Sequence, residues 1–252
     1  MTDDLPSPVE AAPAITGSEE THNEARRRNL RASVATLIVS GAVVSFLTVY
    51  NMQPCPVWSM DRGCFTARSW EEYLVVNLVG LLLLPFLTMF ALPREGPHQY
   101  GLWRPRPDEW RLTLSLYALM LVPLLVAARQ SDFMAYYPLQ QQAAYSWPYL
   151  LYYETSYGLY MLGWEFFYRG FMTFGLARFF GAWPALLLQA IAFGIMHIGK
   201  PTPEVIGSFF AAMVLGWLAL RARSFYPAFV LHWACSVTFD VLVIAARPDG
   251  LF

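Results

Sequence analysis

Apolar residues follow one another in seven long stretches along this chain, and polar segments separate them. Several stretches are close to the roughly 20 residues that an α-helix needs to cross a bilayer, so each predicts a membrane helix. The 149–177 stretch is long enough for a short helix followed by a full one, with a break near Gly158 or Gly163. The seven stretches cover residues 33–50, 72–92, 111–128, 149–177, 183–198, 204–220 and 225–246.

These stretches predict an all-α fold, a polytopic membrane bundle of about seven to eight transmembrane helices. Residues 1–29 are polar and end in three arginines, which is typical of a disordered cytoplasmic tail. We expect a first group of transmembrane helices over residues 30–148. A second helix bundle, over residues 149–252, carries the side chains that suggest chemistry.

Composition supports a membrane protein. Of the 252 residues, 56% are hydrophobic, against about 45–50% in a typical soluble domain. Only 14% are charged, and 16% are aromatic, as expected where aromatic rings gather at membrane interfaces. The net charge of −1 gives no indication of a nucleic-acid partner.

The basic residues predict an orientation. With the amino terminus in the cytoplasm, eleven Arg side chains lie in the cytoplasmic segments and five basic side chains lie outside, with Arg169 left in the membrane. Cytoplasmic loops carry an excess of Lys and Arg, so this bias favours a cytoplasmic amino terminus.

Three cysteines are present, and their spacing does not resemble a zinc site. Cys55 and Cys64 flank a short polar loop. They form a disulfide if that loop faces an oxidising compartment, and two free thiols are the equal alternative. Cys235 lies in an apolar stretch.

Four ionisable residues lie within the stretches predicted to cross the membrane: Glu165, Arg169, His197 and His232. A charged side chain at the centre of a membrane helix costs about 2.5–3.5 kcal/mol on insertion scales, so such groups usually build a functional site. Glu165 and Arg169 are four residues apart and share a helix face, where a structural ion pair is the alternative. In the predicted topology His232 enters from the inner side, so it meets Glu165 and His197 only if helices tilt or boundaries shift by a turn.

The residue types are those needed to hydrolyse a peptide bond without a serine or cysteine nucleophile. A carboxylate and an imidazole can hold and deprotonate a water molecule. A second imidazole, with a nearby Ser, can stabilise the developing oxyanion, and an arginine can orient the carboxylate. Two His and one Glu are also possible zinc ligands. Because no His-Glu-x-x-His pair is present, we expect no metal and no cofactor, with zinc as the weaker alternative.

In these motifs the chain resembles the CPBP family of intramembrane endopeptidases, named for CAAX prenyl proteases and bacteriocin-processing enzymes. The family pattern is Glu-Glu-x-x-x-Arg, then Phe-x-x-x-His, then His-x-x-x-Asn or Asp, on successive membrane helices. Glu165 and Arg169 match the second Glu and the Arg, Phe193 and His197 match the second motif, and His232 matches the third histidine. The resemblance covers about residues 150–246 and implies a helical membrane protease.

Two positions depart from the family pattern. Trp164 stands where the first Glu, the usual water-activating base, is expected, and Ser236 stands where Asn or Asp is expected. Three interpretations follow for the first departure. Glu165 is the base, or Glu204 approaches His197 and takes that role, or the protein has no peptidase activity.

The resemblance implies an intramembrane glutamic-type endopeptidase of the bacterial inner membrane, acting on a membrane-anchored or lipid-modified protein. An inactive scaffold that binds a partner protein or peptide is the alternative, and Trp164 favours it. A small transporter is disfavoured because paired broken-helix repeats are lacking. The implied roles are water activation by Glu165 or Glu204 with His197, oxyanion stabilisation by His232 and Ser236, and positioning of the acid by Arg169.

Overall fold

The computed structural model describes residues 16–52, 69–92 and 96–251, with side chains from Thr21 onward. Over these ranges the regular structure is helical. Cys55 and Cys64 lie outside the described residues, and Cys235 is a partly buried free thiol.

Eight α-helices follow one another in the described part of the chain, and each predicted apolar stretch forms one of them. The predicted helical membrane bundle is therefore confirmed. The helices are α1 (Thr16–Met52), α2 (Trp70–Ala91), α3 (Pro107–Ala127), α4 (Ser131–Tyr136), α5 (Trp147–Glu165, continued by a π-helical stretch Phe166–Met172 and by Thr173–Phe180), α6 (Ala182–Ile195), α7 (Thr202–Ala222) and α8 (Tyr226–Ala246).

The predicted break in the 149–177 stretch is wrong. Helix α5 continues through Gly158 and Gly163 and changes to π-helical geometry directly after Glu165. Gly158 instead allows another helix to approach, since a Cβ atom there would lie 2.7 Å from the ring of Trp233. Short π-helical stretches inside α-helices are frequent at functional sites, and this one begins beside the candidate chemistry.

Residues 16–29 are helical rather than disordered as predicted, because helix α1 begins at Thr16. Residues 1–15 lie outside the described ones. Close packing joins α1 to the end of α5. The Ser33 hydroxyl donates a hydrogen bond of 2.6 Å to the carbonyl of Gly175, whose missing side chain leaves space for Thr36.

Five helices of the described chain are long and apolar enough to cross a membrane: Thr21–Met52, Trp70–Ala91, Pro107–Ala127, Thr202–Ala222 and Tyr226–Ala246. Helix α6 has 14 residues and is shorter than these five. Large apolar side chains on the outward faces of the long helices remain exposed, including Leu114, Leu119 and Val122 of α3. This is the surface expected of helices that face lipid.

Polar contacts join the helices at both ends of the bundle. At one end Glu109, at the start of α3, accepts a hydrogen bond of 3.1 Å from Arg221, at the end of α7. The opposite end carries residues 128–146, which we call the cap segment and which includes α4. Nη2 of Arg247, just after α8, donates 2.6 Å hydrogen bonds to the carbonyls of Met134 and Tyr137 and so holds the cap segment in place.

Candidate active site

Glu165 and Arg169 form an ion pair in the centre of the protein. Arg169 Nη1 lies 2.9 Å from Glu165 Oε1, and both side chains are 0% exposed. The Arg169 guanidinium also stacks over the ring of Phe193, 4.2 Å from its centroid. The contact is a charge-assisted hydrogen bond between a guanidinium and a carboxylate, both removed from water.

His232, from α8, contacts the same carboxylate. Its Nδ1 lies 2.6 Å from Glu165 Oε1. Because an ionised carboxylate only accepts hydrogen bonds, Nδ1 carries the proton and Nε2 of the neutral ring has a free lone pair. His232 therefore reaches Glu165, a contact that the sequence had left open, and the glutamate holds the imidazole through Nδ1.

His197 lies in the turn after α6 and is held in the same way. Its Nδ1 is 2.7 Å from the backbone carbonyl of Phe193, so Nδ1 donates and Nε2 is again the accepting nitrogen. The Phe193 ring contacts both histidines, with its centroid 4.4 Å from that of His197 and 5.8 Å from that of His232. Both positions that define the second motif, Phe193 and His197, therefore belong to this cluster of rings.

A cavity of about 450 Å³ reaches both histidines. Its wall on α5 includes Met161 and the aromatic residues Tyr157, Tyr160 and Trp164, whose rings follow one another at centroid distances of 5.6 and 5.5 Å. Trp164 also meets the ring of His197 edge to face, at 5.9 Å. The remaining walls come from the end of α1, the start of α2, the cap segment, the turn after α6 and His232 of α8.

Glu165 and Arg169 do not line this cavity within the described part of the chain; the neighbouring Trp164 does. The one-residue shift between positions 164 and 165 turns a side chain by about 100° on a helix. Trp164 therefore faces the cavity while Glu165 faces His232. The sequence did not show which of these two side chains faces the cavity.

Glu204 belongs to a different cluster. Its Oε1 accepts hydrogen bonds from the Tyr137 hydroxyl at 2.7 Å and from Lys200 Nζ at 2.8 Å. Burial alone lowers the pKa of Lys200, but the charge of Glu204 and the hydrogen bond to it outweigh burial, so that pKa is raised. Burial and the charge of Glu204 also raise the pKa of Tyr137 well above its usual value.

The structure thus places Glu204 with the cap segment and does not bring it against His197. Lys200 is the member of this cluster that lines the cavity. The part played by Tyr137 was missed from the sequence, because the cap segment lacks a regular pattern. One feature of the sequence could have pointed to Lys200, because it is the only lysine of the chain.

Ser236 lies one turn after His232 on α8. Its hydroxyl donates a 3.0 Å hydrogen bond to the backbone carbonyl of His232, a common way for a helical serine to satisfy its own donor. Among the described residues the cavity wall does not include Ser236. The structure brings together Glu165, Arg169, His197 and His232, whereas Ser236 is occupied by its own helix.

Among the described residues, no group of three or more His, Cys, Asp or Glu side chains is arranged to hold a metal ion. The expectation that the protein works without a metal or cofactor stays a prediction.

Residues 146–238 match the family model described as type II CAAX prenyl endopeptidase, Rce1-like. The match covers a little more than a third of the chain and includes Glu165, Arg169, His197 and His232. The resemblance to the CPBP proteases is thereby confirmed for this part of the chain. Neither a curated protein nor a solved structure gives a significant match. Together with the long apolar helices, the match identifies an integral membrane protein.

Proposed function

We propose that the protein is an intramembrane endopeptidase that hydrolyses a peptide bond of a membrane-anchored or lipid-modified protein. The observation that carries the proposal is the series of contacts from Arg169 to Glu165 and from Glu165 to His232. It ends at a cavity that His232 and His197 both line. A carboxylate behind an imidazole fixes the ring and stabilises the imidazolium that forms when Nε2 takes a proton. The match to a CAAX-type endopeptidase family supports the same reaction class.

The proposed mechanism uses His232 as the base, with Glu165 as the residue that positions it. Water held between the Nε2 atoms of His232 and His197 attacks the scissile carbonyl carbon. A water proton passes to His232 Nε2, and the carbonyl π electrons move to the oxygen. The imidazolium then returns that proton to the amide nitrogen, the C–N bond breaks, and the products are a carboxylic acid and an amine.

Arg169 contributes by orienting the Glu165 carboxylate through the 2.9 Å contact at a site without solvent. We further propose the bacterial inner membrane as the location, with the amino terminus in the cytoplasm. The cap segment then lies on the outer side, and the basic residues that follow α2, α5 and α7 lie on the inner side.

The second candidate is a catalytically inactive scaffold that binds a partner peptide in this cavity. Trp164 favours it, because a 5% exposed indole occupies the position where the family carries its water-binding acid. In that case the cavity binds peptide without cleaving it.

Protein termini in host membranes distinguish the two candidates. We would compare wild type with His197→Ala, His232→Ala, Glu165→Gln, Glu204→Gln and Ser236→Ala at matched membrane levels, by terminal mass spectrometry. His98→Ala, at an exposed histidine, is the matched control. The proposal predicts that one set of termini disappears in both site histidine variants, decreases strongly with Glu165→Gln, and persists in the control and with Ser236→Ala.

The same comparison tests Glu204. Loss of the termini with Glu204→Gln but not with Glu165→Gln would make Glu204 the base and contradict our assignment. Identical termini in wild type and every folded variant would contradict peptidase activity. The scaffold would then be the better interpretation.

A further inference from the structure

The side chain of Trp164 has a hydrogen-bond donor without a partner. Its Nε1 atom is buried, and the described residues offer it no acceptor. An indole N–H only donates, so a bound acceptor is required to satisfy it. A buried, unpaired donor is unfavourable in the free protein, which makes its presence beside a catalytic cavity informative.

The two histidines and Ser236 do not offer a donor to the substrate in the free protein. Both histidines use their Nδ1–H groups on protein acceptors, Glu165 Oε1 and the Phe193 carbonyl. Their Nε2 atoms therefore accept hydrogen bonds in the neutral state and cannot polarise a carbonyl oxygen. Ser236, the expected donor, already donates its hydrogen bond to the backbone carbonyl of His232.

Trp164 is adjacent to His197, and Phe193 links it to His232. Its ring lies 5.9 Å from that of His197 and 5.6 Å from that of Phe193, which in turn contacts His232. A peptide carbonyl that approaches the histidines through the cavity therefore comes near the indole, which lines the same cavity. The residue that replaces the expected acid thus carries an unpaired donor beside the cavity.

We propose that Trp164 is a catalytic residue whose Nε1–H donates a hydrogen bond to the scissile carbonyl oxygen and to the oxyanion formed from it. The inference rests on the proposed peptidase function and adds one role to it. As water adds to the carbonyl carbon, the electron pair that moves to oxygen is stabilised by the indole N–H. The donor itself keeps its proton throughout. Trp164 then compensates for the loss of Ser236 as a donor.

The test removes the N–H and keeps the ring. Trp164 is replaced by 3-benzothienylalanine, in which sulfur takes the place of the indole N–H at nearly the same shape. The purified protein is incorporated into proteoliposomes with extracted host membrane proteins, and the initial rate of new terminus formation is measured. Removing one oxyanion donor typically lowers kcat by about 10²–10³, and we expect a decrease of that order.

Trp233 provides the matched control. Its Nε1 is also buried without a partner, but among the described residues it does not line the cavity. The same analogue at position 233 should leave the rate within about twofold of wild type. An unchanged melting temperature would show that both substituted proteins fold.

The outcomes separate this inference from the proposed function. If wild type and the Trp164 analogue cleave at the same rate, the donor role is wrong while the peptidase stands. A large decrease at both positions would assign the effect to the analogue's packing and overturn the donor role. If wild type forms no more termini than His232→Ala, the proposed function and this inference fail together.

Discussion

Glu165→Gln removes the negative charge from a carboxylate that is fully buried between Arg169 and His232. Arg169 remains charged, because a guanidinium does not lose its proton in proteins. Its side chain is 0% exposed, so the charge is left without a counter-ion and without water. Breaking a buried ion pair from one side costs about 3–5 kcal/mol, and we expect the free energy of unfolding to fall by that amount.

A double variant separates stability from catalysis. Glu165→Gln combined with Arg169→Met removes both charges, and replacing a buried pair by neutral groups is often neutral or stabilising. We therefore expect the double variant to recover most of the lost stability. Peptidase activity should stay low in both variants, because His232 Nδ1 then bonds an uncharged amide that cannot stabilise an imidazolium.

The assay is an unfolding titration with SDS in mixed micelles, followed by tryptophan fluorescence, with terminus formation measured on the same preparations. Glu24→Gln, at an exposed carboxylate of α1, is the control for removing one negative charge. If the unfolding free energy of Glu165→Gln lies within about 1 kcal/mol of that of wild type, the reasoning from burial is wrong. Full activity in the double variant would refute the positioning role of Glu165.

Two further predictions concern packing and pH. Gly158→Ala should lower the free energy of unfolding by about 1–3 kcal/mol, because the added Cβ would overlap the ring of Trp233; Gly41→Ala, with free space around its Cβ, should change it by less than about 1 kcal/mol in the same titration. The pKa values of Tyr137 and Lys200 are raised in the folded protein, so their contribution is present below pH 10 and is lost as the pH rises further. The melting temperature should therefore fall as the pH rises above about 10, and Tyr137→Phe should reduce this fall; an equal fall in wild type and variant would contradict the assignment.

Helix positions were predictable because membrane helices need long apolar stretches, and all seven stretches form helices. The irregularity of α5 was not. Gly158 and Gly163 were the expected breaks, yet the backbone changes at Phe166–Met172, directly after Glu165. Packing of a π-helical stretch depends on neighbouring helices, and their contacts are not readable from one segment.

The candidate site shows the same division. Glu165, Arg169, His197 and His232 were identified from their polarity in apolar stretches, since ionisable groups in a bilayer are costly. That Glu204 bonds Tyr137 depends on how the cap segment folds over the bundle. Sequence spacing alone placed Glu204 only near His197 along the chain.

The sequence by itself determined that this is a helical membrane protein, which ionisable residues lie in its apolar stretches, and which family pattern they follow. Hydrophobic length and the cost of buried charge are local properties, so they can be read along the chain. Only the tertiary structure decided that Glu165 faces His232 while Trp164 faces the cavity. The direction in which a side chain points depends on the rotation of its helix, and contacts with the other helices set that rotation.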